Sequence, residues 1–133
     1  MIPEWVNEYI GIPFAARGRD RSGCDCWGLF RLVKAERDGI ALGKFLEYDD
    51  VCDPAIPSLL AANLDGRWLK IPQGQEREGD GLLIRFLGEP MHVGMVVSPG
   101  YMLHAVKGTD SCIESYYSPK WISRIEGIYR YAE

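Results

Sequence analysis

The chain has 133 residues, of which 47% are hydrophobic and 26% are charged, and its formal net charge at pH 7 is -4. This length and composition are typical of one globular domain with a hydrophobic core, so we predict a single domain over residues 1–133. The scattered lysines and arginines argue against a nucleic-acid or membrane partner, and no early segment has the pattern of a signal peptide or a bilayer span.

The first predicted element is a short amphipathic helix from Ile2 to Ile10. A proline suits its first turn, and the apolar residues recur at helical spacing. The residues of this apolar face are Trp5, Val6, Tyr9 and Ile10.

The second predicted helix begins in the stretch RSGCDCWGLF, residues 21–30. Asp25 is suited to cap it, because its carboxylate can accept hydrogen bonds from the free N–H groups of the first turn. Gly39 is a plausible C-terminal stop. Apolar side chains recur at i, i+3, i+4 and i+7, in Cys26, Leu29, Phe30 and Val33. Cys26 is therefore expected in the first turn of a helix that faces the core.

A weaker third helix is predicted from about Pro54 to Asn63, with Asp53 as its cap. Short segments rich in aromatic and aliphatic residues follow, and Gly, Pro and Ser separate them. We predict strands at 81–86, 92–97, 101–106, 112–117 and 127–132. Helices followed by a run of strands indicate an α+β fold, with N-terminal helices packed on a meandering antiparallel sheet of about five strands.

The two histidines of the chain, His92 and His104, fall on consecutive predicted strands. If residues 98–100 form a three-residue hairpin loop, Val97 pairs with Tyr101, and counting back places both imidazoles on one face. Diagonal neighbours across an antiparallel pair lie roughly 7–8 Å apart. We therefore predict that the two rings meet, on a face that could receive the N-terminus of the cysteine-bearing helix.

A cysteine at a helix N-terminus is suited to nucleophilic catalysis. The helix end and an adjacent imidazolium both favour the thiolate, lowering a pKa that is ordinarily near ~8.5. A thiolate attacks a carbonyl carbon, a histidine donates a proton to the leaving amine, and a third polar group holds that histidine in the useful tautomer. Backbone N–H groups of the first turn can stabilise the oxyanion. Together, Cys26, His92 and His104 therefore predict a nucleophilic site.

All four cysteines are expected to be thiols, because the size of the core removes the need for disulfides and the absence of a signal removes the opportunity. Cys24 precedes the helix cap and is the weaker candidate nucleophile. Cys52 and Cys112 are expected to be inert. A zinc site is the alternative, although C-x-C is tighter than the usual ligand spacing. Its ligands would be Cys24, Cys26, His92 and His104.

These segments, taken together in this order, resemble the NlpC/P60 family of papain-like cysteine peptidases. The resemblance extends from about Gly11 to Val106. DCWGLF resembles the nucleophile segment, HVGMVV the strand of the catalytic histidine, YMLHAV the strand with the third polar residue, and EREGDGLLIRF the Gly-Asp turn before a core strand.

The resemblance implies a papain-like fold with Cys26 as nucleophile, His92 as general base and acid, and His104 as the residue that orients His92. It implies no cofactor and no metal. The small single-domain form is similar to the peptidases of tailed phages, which implies phage tail proteins as partners. The implied substrate is a peptidoglycan stem peptide, cleaved between D-γ-glutamate and the diamino acid. Synthesis in the cytoplasm, incorporation in a tail and action in the periplasm or cell wall are the corresponding expectations.

Two residues depart from the family pattern. Many members carry a tyrosine before the nucleophile, near the substrate and the oxyanion, where this chain has Phe14. Trp27 replaces a usually small residue and either narrows the substrate groove or fills core. With Asp25, these two side chains are the candidate substrate contacts. A catalytically inactive tail or assembly protein with the same fold is the alternative that the missing hydroxyl leaves open.

Overall fold

The computed structural model describes residues 2–15, 18–40, 68–86, 89–106 and 108–131. It shows an α+β fold in which an α-helix packs on an antiparallel sheet. The helix predicted at 54–63, its cap Asp53 and the side chain of Cys52 lie outside the described residues. No helix in this described part of the chain has the length and apolar character needed to cross a bilayer.

The first element is a 3-10 helix, Glu4–Tyr9, within the segment where the sequence predicted an amphipathic helix. Val6 and Tyr9 are buried, whereas Ile10 is 45% exposed. A 3-10 helix has three residues per turn, so residues i and i+3 lie on the same side. Val6 and Tyr9 therefore share the buried face, and the prediction that Ile10 belongs to it is wrong.

The α-helix, α1, spans Cys26–Asp38. The side chain of Asp25 accepts a hydrogen bond from the backbone N–H of Gly28, as expected of an N-cap. Gly39 follows the last turn with φ 69°, in the left-handed region that favours glycine at a C-terminal cap. Both predicted ends of this helix are confirmed.

Two short strands, β1 (Arg19–Asp20) and β2 (Gly23–Cys24), pair as a hairpin directly before α1. Within the described residues, the main sheet has six strands in the order β3-β8-β4-β5-β6-β7, and every neighbouring pair is antiparallel. Their bounds are β3 Trp68–Lys70, β4 Gly81–Phe86, β5 Glu89–Ser98, β6 Tyr101–His104, β7 Cys112–Ser115 and β8 Ile125–Tyr131. Strands β4 to β7 form the predicted meander. The last strand returns to lie between β3 and β4, and a 3-10 helix, Ile122–Arg124, precedes it.

Two buried clusters lie on opposite faces of this sheet, because successive side chains of a strand alternate between faces. Met95 and Leu103 belong to the cluster that includes the buried face of α1. Val96 and Met102 belong to the other cluster, which includes Trp121. The helix therefore covers one face, and the segment that leads to the second 3-10 helix covers the other.

The β5–β6 register places Met95 opposite Leu103, as the predicted count requires. The turn itself differs from the prediction, because Ser98 pairs with Tyr101 and the register shifts between residues 96 and 98. Val97 is the extra residue of this bulge. The bulge adds one residue while the turn loses one, so the alternation of side chains is preserved along the rest of the pair.

Candidate active site

Cys26 is the first residue of α1 and is 1% exposed. Its position places the sulfur within the first turn, where the unpaired N–H groups and the helix dipole favour a negative charge. Asp25 uses its carboxylate to cap the same turn, over 2.7 Å to the nitrogen of Gly28. The predicted location of the candidate nucleophile is therefore the observed one. Contact between Asp25 and substrate stays a prediction.

Gly28 has a packing role near Cys26. A Cβ atom at this position would lie 1.9 Å from the carbonyl oxygen of Gly18. That distance is far below any tolerated contact, so only glycine lets the chain at residue 18 pass against the first turn of α1. Glycine in the DCWG sequence therefore allows the chain at residue 18 to lie close to the first turn of the helix.

Phe14 lies beside the strand that leads to the nucleophile. It forms a β-bridge with Cys24, and the backbone N–H of Cys24 donates to the carbonyl of Pro13 over 3.0 Å. The Phe14 ring packs against the core cluster that contains α1. The Cys24 sulfur lies 2.9 Å from the carbonyl oxygen of Asp20, to which its S–H donates. These contacts give Cys24 a role in holding the hairpin, whereas contact between Phe14 and substrate stays a prediction.

Trp27 fills the core. Its ring stacks on Phe30, with 5.7 Å between centroids and 10° between planes, and lies 6.5 Å from the ring of Trp68. The residue is 1% exposed. The sequence left two roles open for Trp27, and these contacts are those of a side chain that fills the core.

The two histidines meet, as the sequence predicted. Nε2 of His92 lies 2.8 Å from Nδ1 of His104, and the ring centroids are 5.1 Å apart. Both residues are buried, at 0% and 1% exposure. A Cβ atom at Gly94 would lie 3.7 Å from Cβ of His104 and 2.9 Å from Sδ of Met102. A larger residue at position 94 would therefore displace the side chain of Met102 beside the histidine pair.

The imidazoles lie on the face of the sheet opposite to α1. Both contact Trp121, with centroid distances of 6.2 Å from His92 and 5.3 Å from His104, and Trp121 belongs to the cluster away from the helix. The sequence predicts that the histidine-bearing face could receive the N-terminus of the cysteine-bearing helix. Alternation along β5 places Val93 and Met95 toward the body of α1, which therefore packs on the other face. Pairing of the Cys26 sulfur with His92 stays a prediction.

A further polar residue, Glu114, extends the histidine pair. Its Oε2 lies 2.8 Å from Nε2 of His104, and its Oε1 accepts a 3.1 Å hydrogen bond from Nε1 of Trp121. Lys120 lies nearby, with Nζ 3.6 Å from Oε1. Sequence reasoning missed Glu114, although continuing the strand count from β6 to β7 would have placed it on the histidine face.

Burial controls the protonation of the two rings. It lowers the pKa of His92 well below the ordinary value of 6.5, and the neighbouring His104 lowers this pKa further. Burial also lowers the pKa of His104, although the hydrogen bond with Glu114 opposes that shift. Burial raises the pKa of Glu114, but hydrogen bonds from Trp121 and His104 outweigh it and leave this pKa below 4.5. At neutral pH both rings are therefore uncharged and Glu114 is ionised.

A metal-ligand group in the described part of the chain consists of His104, Cys112 and Glu114, whose candidate ligand atoms lie within 4.8 Å of one another. Bond lengths at tetrahedral zinc separate neighbouring ligand atoms by roughly 3.3 Å. The His104–Glu114 distance of 2.8 Å is instead that of a hydrogen bond. The His104 and Glu114 side chains therefore share a hydrogen bond.

Several solved structures share this fold. The NlpC/p60 domain of the peptidoglycan hydrolase SagA is 23% identical, with a TM-score of 0.65 over 94% of this chain and 92% of that one. The P60 domain of a Mycobacterium avium subspecies paratuberculosis antigen is 19% identical, with a TM-score of 0.63 over 95% of this chain and 88% of that one. An NlpC/P60 family protein from Bacillus cereus is 19% identical, with a TM-score of 0.71 over 96% of this chain but only 38% of its own.

No curated protein sequence matches the chain. The sequence pattern of the NlpC/P60 family, in contrast, matches residues 11–130, which include Cys26 at the start of α1 and both histidine-bearing strands. That match covers most of the 133 residues, and the fold agrees with it. The chain therefore belongs to the NlpC/P60 family.

Proposed function

We propose that the chain is a cysteine peptidase that hydrolyses an amide bond in the stem peptides of bacterial peptidoglycan. The observation that carries the proposal is the 2.8 Å contact between Nε2 of His92 and Nδ1 of His104, in a family member whose Cys26 begins a capped helix. The substrate class is supported by SagA, a structural neighbour that is named a peptidoglycan hydrolase.

The histidine contact selects the ring nitrogen that reacts. Nε2 of His92 is occupied by His104, so Nδ1 is the nitrogen that accepts the proton of the Cys26 thiol. Because its low pKa keeps the ring uncharged, His92 is in the form that can act as a base. The thiolate then attacks the carbonyl carbon, and N–H groups of the first turn of α1 stabilise the oxyanion.

The remaining steps return the enzyme to its starting form. The protonated His92 donates its proton to the leaving amine as the C–N bond breaks, which leaves a thioester on Cys26. A water molecule then gives a proton to His92 and attacks the thioester carbonyl. The C–S bond then breaks, His92 returns its proton to the sulfur, and the carboxylic acid product departs and loses its proton to the solvent.

Digestion of purified peptidoglycan, with mass analysis of the released fragments, tests activity and bond choice together. We propose the amide between D-γ-glutamate and the diamino acid as the scissile bond. Fragments that end in a free glutamate carboxylate, with matching fragments that begin at a free diamino acid, are expected. Fragments cut at another amide would refute the bond choice, and intact stem peptides with the parent protein would refute the activity.

Incorporation in a phage tail is proposed on the resemblance to the NlpC/P60 peptidases of tailed phages. Tail proteins would be the partners, and the cell wall or periplasm the place of action. Mass spectrometry of purified particles, induced from a host that carries the gene, would find the chain in tails if this proposal is right. Its presence only in the lysate supernatant would contradict it.

A catalytically inactive assembly protein is the second candidate function, because Phe14 lies beside the nucleophile segment and has no hydroxyl. Loss of an essential oxyanion donor costs about 3–4 kcal/mol of transition-state stabilisation. An inactive parent whose Phe14→Tyr variant cleaves peptidoglycan would favour this candidate. An active parent would exclude it.

A further inference from the structure

Three side chains on three consecutive strands form one hydrogen-bonded row. His92 on β5 contacts His104 on β6 over 2.8 Å, and His104 contacts Glu114 on β7 over a further 2.8 Å. The β6–β7 register pairs Met102 with Glu114 and His104 with Cys112, so Glu114 is the diagonal neighbour of His104 on the same face. The row therefore follows directly from strand pairing.

We propose that Glu114 is a positioning residue of this site, whose carboxylate accepts the Nε2–H of His104 and thereby makes Nδ1 of His104 the acceptor for His92. The proposal rests on the proposed peptidase function for its meaning in catalysis. The tautomer of His104 itself does not depend on that function. Glu114 contacts neither the sulfur nor the substrate carbonyl in this scheme, and it acts only through His104.

The direction of the two hydrogen bonds decides which nitrogen of His92 can act as a base. A neutral imidazole carries one N–H, so a ring that donates from Nε2 must accept at Nδ1. An ionised carboxylate can only accept, which forces His104 to donate from Nε2. His92 then donates from Nε2 to His104, and its Nδ1 keeps the lone pair that removes the thiol proton.

Without the carboxylate, the opposite direction becomes available. His104 could carry its proton on Nδ1 and donate it to Nε2 of His92. An uncharged His92 would then carry its own proton on Nδ1 and have no lone pair for the thiol. Glu114 thus removes an unproductive tautomer.

The surroundings of Glu114 hold it ionised and in place. Oε1 receives the N–H of Trp121 at 3.1 Å and lies 3.6 Å from the ammonium of Lys120, which leaves Oε2 for His104. The His104 side chain is fully buried, whereas that of Glu114 is 31% exposed. Water therefore reaches the carboxylate but not the ring, and Glu114 is the acceptor available to Nε2 of His104.

Nitrogen-15 NMR of the untagged parent protein tests the tautomer directly. The chain contains two histidines, so the imidazole region shows four ring nitrogens. At pH 7 we expect His104 to be neutral, with its proton on Nε2. The nitrogen-15 chemical shift of Nδ1 should then be that of an unprotonated ring nitrogen that accepts a hydrogen bond. A proton on Nδ1 of His104 would overturn the proposal, and this measurement requires no variant to fold.

The matched variants are Glu114→Gln and Glu126→Gln. Glu126 lies on β8 of the same sheet and pairs with Arg85 over 3.1 Å instead of with a histidine. We expect Glu114→Gln to lower kcat by about 10-fold to 100-fold with little change in KM, because a fraction of the protein adopts the unproductive tautomer. Glu126→Gln should keep the parent kcat. Equal kcat values in the parent and Glu114→Gln would overturn the proposal.

A reaction that needs no peptidoglycan separates the two claims. The rate at which iodoacetamide alkylates Cys26, followed by peptide mass spectrometry across pH, should reach half its maximum at a higher pH in Glu114→Gln than in the parent. Among the described residues, the charged or titratable groups that face Glu114 are His104, Cys112 and Lys120, and none of them changes in this variant. If the half-maximum pH is higher in Glu114→Gln than in the parent, and the parent leaves peptidoglycan intact, the positioning role is supported and the proposed function is refuted. An unchanged profile would overturn the positioning role, whatever the parent cleaves.

Discussion

Trp121 lies nearly parallel to His92, with 6.2 Å between their ring centroids and 23° between their planes. The same indole donates its N–H to Glu114, so one side chain covers the proposed base and holds the group that positions it. Trp121 is 2% exposed and directly precedes the 3-10 helix Ile122–Arg124. Substitution can separate these two roles, because a phenyl ring can still pack against His92 but has no N–H to donate to Glu114.

Trp121→Phe is therefore expected to lower kcat by about 2-fold to 10-fold, the equivalent of one lost hydrogen bond. Trp121→Ala should also leave a cavity beside both imidazoles and lower the free energy of unfolding by about 3–5 kcal/mol. Peptidoglycan turnover and urea unfolding measure the two effects. Trp5→Phe is the matched control, because the Trp5 indole donates to Glu78 instead. An equal loss of kcat in that control would contradict the role of the Trp121 N–H.

Much of the fold could be predicted because its signals are local. Asp25 and Gly39 mark the ends of α1, and short runs rich in aliphatic and aromatic residues mark β4 to β8. Strand β3 was missed, because Trp68–Lys70 has only three residues and two of them are exposed. β3 is stabilised by its pairing with β8, which is distant in the sequence. The three residues of β3 alone give no local signal for that pairing.

The site could be predicted only as far as strand alternation was followed. That count brought His92 and His104 together, but it stopped before β7 and so missed Glu114. Trp121 lies in a turn whose place against the histidines depends on tertiary packing and has no periodic signal. The face that α1 covers could not be predicted either, because β5 is apolar on both sides and its sequence does not indicate on which side the helix packs.

Replacement of the two cysteines near α1 should separate nucleophile from structural thiol. Cys26→Ala is expected to abolish peptidoglycan cleavage, because no other group in the first turn can form the thioester. Cys24→Ala should retain most of the activity and cost about 1 kcal/mol of stability through its lost contact with the Asp20 carbonyl. Fragment release and thermal unfolding measure these effects. Equal loss of cleavage in both variants would refute the assignment of Cys26.

Substitution of His92, which transfers the proton, should lower activity more than substitution of His104, which orients His92. His92→Gln is expected to be close to inactive, because an amide cannot accept and return the proton. His104→Gln should retain measurable turnover, since an amide can still offer His92 a hydrogen-bond acceptor. His104→Ala should lose about 10²-fold or more through misplacement of His92. Turnover by His104→Ala at the parent rate would show that the contact between the two rings has no role.

Acidification should destabilise the protein below about pH 6.5. Burial places the pKa values of His92 and His104 in the folded protein below their ordinary value of 6.5. As pH falls below that value, the unfolded chain binds protons that the folded chain does not. Each buried histidine then removes up to about 1.4 kcal/mol per pH unit from the free energy of unfolding. The lowered pKa of Glu114 adds a further loss as pH falls below 4.5.

Urea unfolding at pH 7, 6 and 5 measures this dependence, and His92→Gln is its control. The variant has one fewer buried imidazole, so its free energy of unfolding should fall less steeply between pH 6 and 5, by about the contribution of one proton. A parent that is equally stable at all three pH values would contradict the burial of uncharged rings. The same slope in the variant would exclude His92 as a source of the effect.

Gly28→Ala should destabilise the protein, although alanine ordinarily favours a helix over glycine by about 1 kcal/mol. The added Cβ would lie 1.9 Å from the carbonyl oxygen of Gly18 and 3.1 Å from Oδ1 of Asp25. The backbone at residue 18 must move, and the capping carboxylate beside Cys26 must adjust with it. We therefore expect both a lower melting temperature and slower alkylation of Cys26, measured by calorimetry and by iodoacetamide labelling. Ala35→Gly, at an exposed position of α1, measures the propensity difference alone and should cost about 1 kcal/mol. If Gly28→Ala instead raises the melting temperature, the close approach of residue 18 to the first turn of α1 is wrong. The argument that this approach requires glycine at position 28 then fails as well.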